Sequence, residues 1–192
     1  MARAAAEQID GRRQRADVSR RRIALAMLDL VREGEVEPSA DLVAERAGVG
    51  RRTVFRLFAE MEGVFREMHA VMVERLTPEF SVPLAGATWR ERLDEVVARR
   101  ARMFDQMLPI KSASDAHRYR SKFLQTEHRK LTRMQRDSLR RVLPANVADG
   151  EAFEALDLAL SFEAWRRLRQ EQGLSAKQAV AVLRHATRAL VS

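Results

Sequence analysis

The chain is 192 residues long, 46% hydrophobic and 32% charged, with a formal net charge of +8. That is enough apolar residue for a buried core beneath a highly charged surface, and a charge balance that favours polyanions such as nucleic acid or an anionic membrane. The absence of cysteine excludes disulfides, thiolate nucleophiles and Cys-ligated zinc or iron–sulfur sites.

No run approaches the ~18 uninterrupted apolar residues of a membrane span, and the start, MARAAAEQIDGRRQR, lacks the apolar core of a secretory signal. A cytoplasmic location without a membrane partner is therefore expected. Residues 1–16 have little periodicity and carry Arg3, Arg12, Arg13 and Arg15 around Gly11, which reads as a flexible basic arm: a solvated tail, or an arm that contacts phosphate or a minor groove.

From Asp17 the pattern turns helical, with Ile23, Met27, Leu30 and Val31 on one stripe and Gly34 as its end. Arg20, Arg21 and Arg22, near its start, would sit close to a bound backbone. Pro38 and Ser39 then open a short helix carrying Leu42, Val43 and Ala47, and Gly48 closes it by taking a left-handed conformation. After Val49 and Gly50 a second short helix puts Val54, Leu57 and Phe58 on one side and Arg51, Arg52, Thr53 and Arg56 toward the other. Two short helices about a tight turn, the second apolar behind and basic in front, have the pattern of a helix-turn-helix.

A fourth helical stripe, Val64, Met68, Val71 and Met72, runs to about Leu76, and 77–88, with Pro78, Pro83 and Gly86, reads as a linker. Beyond it the spacing predicts only helices: Trp89 to Pro109, a short piece near Asp115 to Tyr119, a long basic helix ending before Pro144, Glu151 to about Gln172, and Ser175 to about Val191. Ser175 and Gln178 have the spacing of a capping box. The reading is all-α: an N-terminal domain over 17–76, containing a helix-turn-helix in a three-helix arrangement and a connecting helix, followed by a C-terminal helical domain over 89–192.

Residues 38–68 resemble the TetR family of bacterial transcriptional regulators. The likeness lies in Leu42-Val43-Ala44 with Ala47-Gly48-Val49, then Thr53-Val54-Phe55, Phe58 and Val64. It covers the first third of the chain by motif and the rest by helix count, length and the two-helix ending. The family usually has tyrosine at Phe55, lysine at Met61 and a serine or threonine cap at Gly50, so phosphate anchoring would shift to the arginines.

The resemblance implies a ligand-responsive transcriptional regulator, typically a repressor, that binds a palindromic double-stranded DNA operator as a homodimer. It assigns DNA contact to Arg20, Arg21, Ser39, Gly50, Arg51, Arg52, Thr53, Phe55 and Arg56. It also implies an unidentified small-molecule effector in the C-terminal domain. Trp89, Met103, Phe104, Met107, Phe123, Phe162 and Trp165 are candidates to line its pocket, although at helical spacing such residues are more often plain core. Phe153, Leu156, Leu160, Val180, Leu183 and Leu190, on the last two helices, would pair with a second copy, unless those helices merely close an intramolecular core.

The basic run from Lys111 to Arg141 reads as a solvated face or as a cradle for an anionic effector. His69, His117, His128 and His185 are scattered without metal-ligand spacing, and no nucleophile or dinucleotide motif is present, so no cofactor, metal or catalytic residue is expected. The alternative to a regulator is a helical enzyme or adaptor acting on an anionic small molecule without specific DNA binding.

Overall fold

In a computed structural model the backbone is described for residues 2–191 except 36, 59 and 60; the side chains of 2–13, 15, 57, 58, 61, 113 and 116 are not. Every regular element among the described residues is helical, so the protein is all-α. In order they are α1 (Ala2–Arg32), α2 (Ala40–Ala47), α3 (Arg51–Phe58), α4 (Met61–Ser81), α5 (Trp89–Arg118), α6 (Lys122–Arg140), α7 (Ala145–Ala148), α8 (Glu151–Ala159), α9 (Phe162–Arg166), a π-helical turn (Arg167–Glu171) and α10 (Ala176–Leu190). Among the described residues no helix is long and apolar enough to cross a membrane.

The chain divides into two compact units, Met1–Arg75 with Pro109–Gln125, and Leu76–Leu108 with Thr126–Ser192. In the first unit Ile23, Leu28 and Leu30 of α1, Val43 of α2, Val54 of α3 and Val64 of α4 are at most 1% exposed and share one core. Burying such a side chain contributes roughly 1.5–3 kcal/mol, which outweighs the poor intrinsic stability of eight-residue helices. The stripe expected of α1 is this core face. Gly34, at φ +106°, ends it where expected, with the Glu35 N–H donating to the Leu30 carbonyl.

Four boundaries differ from the sequence reading, each for a physical reason. Helix α1 begins at Ala2, within the range assigned to a flexible arm; that stretch is rich in Ala, Gln, Glu and Arg, all good helix formers. The Met1 end of that arm lies outside the described residues. The linker is shorter than 77–88, because α4 continues through Pro78 to Ser81. Its end is a capping box: the Glu91 N–H donates to the Thr88 hydroxyl and Glu91 accepts from the Thr88 N–H, both at 3.2 Å.

Helix α5 does not stop at Pro109 but continues to Arg118. Buried Met107 and Ile110 flank the proline, and their burial offsets the ~3 kcal/mol that an interior proline costs. The segment Pro109–Gln125 then belongs to the first unit, against the domain reading of 89–192. Ile110 is in that unit's core, Phe123 and Leu124 pack on it, and the Ser121 hydroxyl donates to Glu62 at 2.8 Å.

The predicted helix from Glu151 to Gln172 is broken. Ser161, extended at φ −78° and ψ 161°, caps α9 by accepting from the Ala164 N–H at 3.1 Å. At 100° per residue an unbroken helix would turn Phe162 about 180° away from Phe153. The break lets Phe153, Leu156, Phe162 and Trp165 all be buried. The capping box expected at the last helix is present, with Ser175 and Gln178 each accepting from the other's backbone N–H.

The second unit also encloses a charge. Arg100 is 5% exposed and donates to the carbonyls of Leu160, at 2.9 Å, and Gln135. Burial pushes its pKa down to about 10, opposed by the charge of Asp157.

Candidate nucleic-acid interface

The first unit presents α2 and α3 on a turn that is tightly specified. Ser39 is extended and its hydroxyl accepts from the Leu42 N–H at 3.2 Å, starting α2. At the other end Gly48 sits at φ +59° and ψ 42°. Its N–H donates to Glu45 and the Val49 N–H donates to Ala44, both at 3.1 Å, the double closure of a Schellman turn. Val49 packs on the core. Gly50 then accepts from the N–H groups of Thr53, at 2.8 Å, and Val54, at 3.3 Å, and α3 begins. Nothing lies within 4 Å of where a Cβ on Gly50 would sit, so that side of the turn is open.

Neighbouring helices hold this pair in place. From α1, Arg22 donates to the Gly48 carbonyl at 3.2 Å. From α2, Arg46 donates twice to Glu33 just beyond α1, at 2.8 and 2.7 Å. Those bonds hold the Glu33 carboxyl below its ordinary pKa. Arg21 donates to Glu74 of α4 at 2.7 Å and lies 3.6 Å from Glu67.

The residues singled out for DNA contact separate under this geometry. Arg51, Arg52, Phe55 and Arg56 are exposed on α3, Thr53 is half-buried, and Val54 beside them is wholly buried. This is the two-faced helix expected, although the side chains of Leu57 and Phe58, read as part of its apolar back, and of Met61 lie outside the described residues. Arg52 and Arg56 are engaged by no described residue. Arg51 has its Nε 2.8 Å from the Asp41 Oδ1 of α2, and its guanidinium carbon lies 5.3 Å from the centre of the Phe55 ring. Ser39, Arg20 and Arg21 are already occupied: Ser39 caps α2, Arg20 donates to Asp17 at 2.8 Å, and Arg21 bonds α4.

Asp41 is the functional candidate that sequence reasoning missed. Its only linear signal is an acid placed ten residues before a basic cluster. Arg22, expected beside a bound backbone, instead fastens the turn.

The residues singled out for an effector pocket are divided between the two units, and five of the seven are buried in the second. Met103, Phe104, Met107, Phe162 and Trp165 are at most 2% exposed, with Phe104 and Phe162 edge to face at 5.7 Å, so they are core of the second unit. Trp89 is half-buried beneath the Arg90 guanidinium, 4.2 Å away. Phe123 belongs to the first unit, between Arg66 and His69.

Four of the six residues read as a dimer face are likewise internal: Phe153, Leu156, Leu160 and Leu183 are 1%, 0%, 0% and 4% exposed, whereas Val180 is half-buried and Leu190 exposed. The basic run is largely engaged within the protein. Lys111 pairs with Asp115 at 3.0 Å and Arg136 with Glu154 and Asp157, while the Arg140 guanidinium stacks 4.3 Å from the Phe153 ring. Among the described residues no His, Asp and Glu cluster suits a metal ion. Compared with known proteins, the chain matches no family model, no curated protein and no solved structure.

Proposed function

We propose that α2, the turn at Gly48–Gly50 and α3 form a helix-turn-helix, and that the protein is a DNA-binding transcriptional regulator of the kind its resemblance to the TetR family implies. The observation that carries this reading is α3 itself. One side of it is wholly buried at Val54, and its first two turns expose Arg51, Arg52 and Arg56 with an aromatic ring among them. A helix fixed from behind with its basic N-terminal half exposed suits insertion into a major groove. The net charge of +8 adds the non-specific attraction that brings such a face to DNA.

We further propose a homodimer, since one such helix reads few base pairs and two would read a palindrome. Because the expected dimer face is mostly internal, exposed Leu158, Val182 and Leu190 of the same two helices are apolar groups available to a second copy.

The test is binding to DNA flanking the protein's own gene, measured by fluorescence anisotropy across a range of salt. The expected result is saturable binding at least ~1,000-fold tighter than to random DNA of equal length. Its log affinity should fall linearly with log salt, at a slope near −0.9 per phosphate neutralised. Equal affinity for flanking and random DNA would overturn the reading.

A further inference from the structure

We propose that Asp41 is a positioning residue that presents Arg51 to a guanine, making the Asp41–Arg51 pair the specificity determinant of the face; the inference rests on the regulator reading. An exposed arginine ordinarily samples many rotamers and loses that freedom when it binds. Arg51 is restrained on two sides instead. Its closest contact to Asp41 is at Nε, 2.8 Å from Oδ1, and its guanidinium carbon lies 5.3 Å from the centre of the Phe55 ring. An ion pair made through Nε leaves the two terminal nitrogens as donors for another partner. Two donors in a fixed plane match the O6 and N7 acceptors that guanine alone offers together in the major groove. Arg51 stands in the first turn of α3, the part of such a helix that reaches base edges.

The alternative is an ordinary surface ion pair. Arg51 and Asp41 are 66% and 60% exposed, so their attraction adds little to folding stability. Asp41 also lies in the first turn of α2, where a carboxylate is favoured by the helix dipole alone. Neither role requires the approach of the Arg51 guanidinium to the Phe55 ring, itself 51% exposed. A carboxylate on a face that meets phosphates also weakens binding to every sequence equally. Its presence is explained if it returns more in discrimination than it removes in affinity.

That opposition gives the test a signature. Asp41→Asn, Arg51→Lys and the double variant are compared with wild type on the bound site and on each single base-pair change within it, with random DNA as reference. Wild type should prefer guanine at one position by roughly ten-fold or more. Asp41→Asn should lose most of that preference at the same position while binding random DNA as tightly as wild type or tighter. The double variant should be no less selective than Arg51→Lys. Urea midpoints equal to wild type establish that the fold is intact.

Full guanine preference in Asp41→Asn overturns the proposal and leaves the regulator reading standing. Equal loss on all sequences, random DNA included, overturns it too, because that marks a structural role. A wild type with no sequence preference at all removes the regulator reading beneath it.

Discussion

At Gly48 two demands meet on one residue. The backbone there lies at φ +59°, and a Cβ would come 2.7 Å from the Arg22 guanidinium that fastens the turn. Gly50, two residues on, has an ordinary φ and open space around it. Gly48→Ala is therefore expected to lower stability by about 1–2 kcal/mol, read as a fall in the urea midpoint. Gly50→Ala should change it by less than about 0.5 kcal/mol in either direction. Equal effects at the two positions would show that the left-handed turn is not what limits the pair of helices. The need for a left-handed residue was legible, because a glycine followed by an apolar residue after a short amphipathic run has few other uses. Its partner Arg22 was not, because that bond joins residues 26 apart.

Between elements, charge does the joining in the second unit. Arg136 of α6 donates to Glu154 of α8 at 2.8 and 2.6 Å and to Asp157 at 2.8 Å, with its guanidinium 4.8 Å from the Phe153 ring. The hydrogen bonds from Arg136 hold Glu154 below its ordinary pKa of 4.5. A group whose pKa is lowered on folding adds stability that is complete above its unfolded value and disappears as pH falls through the folded one. Arg136→Met, which keeps an apolar cover for Phe153, should thus be less stable than wild type at neutral pH. The gap should close as pH drops below 4.5 and through the depressed value, in urea titrations at a series of pH values. A gap constant with pH would assign the loss to packing alone. The basic composition of α6 was legible as a charged helix; which charges would be paired was not, since the carboxylates lie 18 and 21 residues onward.

For the whole molecule the open question is assembly. Four of the six expected interface residues are consumed by the protein's own core, and Leu158, 72% exposed, and Val182, 43% exposed, remain outside it together with Leu190. Leu158→Asp and Val182→Asp, made separately, should leave the urea midpoint within about 0.5 kcal/mol of wild type. At least one of them should convert a dimer to a monomer in sedimentation equilibrium. A wild type that sediments as a monomer ends the dimer reading, and two variants that stay dimeric move the interface elsewhere. The two-helix ending was visible from its apolar stripes, but an amphipathic stripe has the same spacing whether it meets its own chain or another.

What the amino-acid sequence determined by itself was local: an all-helical chain, the stripe of α1, the caps at Ser39, Gly48 and Ser175, and an α3 with Val54 inward and arginines outward. Each follows from a period of 3.6 residues or from one residue's backbone preference, both of which act within a turn or two. Only the tertiary structure decided that Pro109–Gln125 joins the first unit, that Ser161 breaks a helix so that Phe162 and Trp165 can be buried, and that Asp41 takes hold of Arg51. Those outcomes depend on which distant groups meet. Burial and ion pairing are properties of the meeting, to which spacing along the chain gives no address.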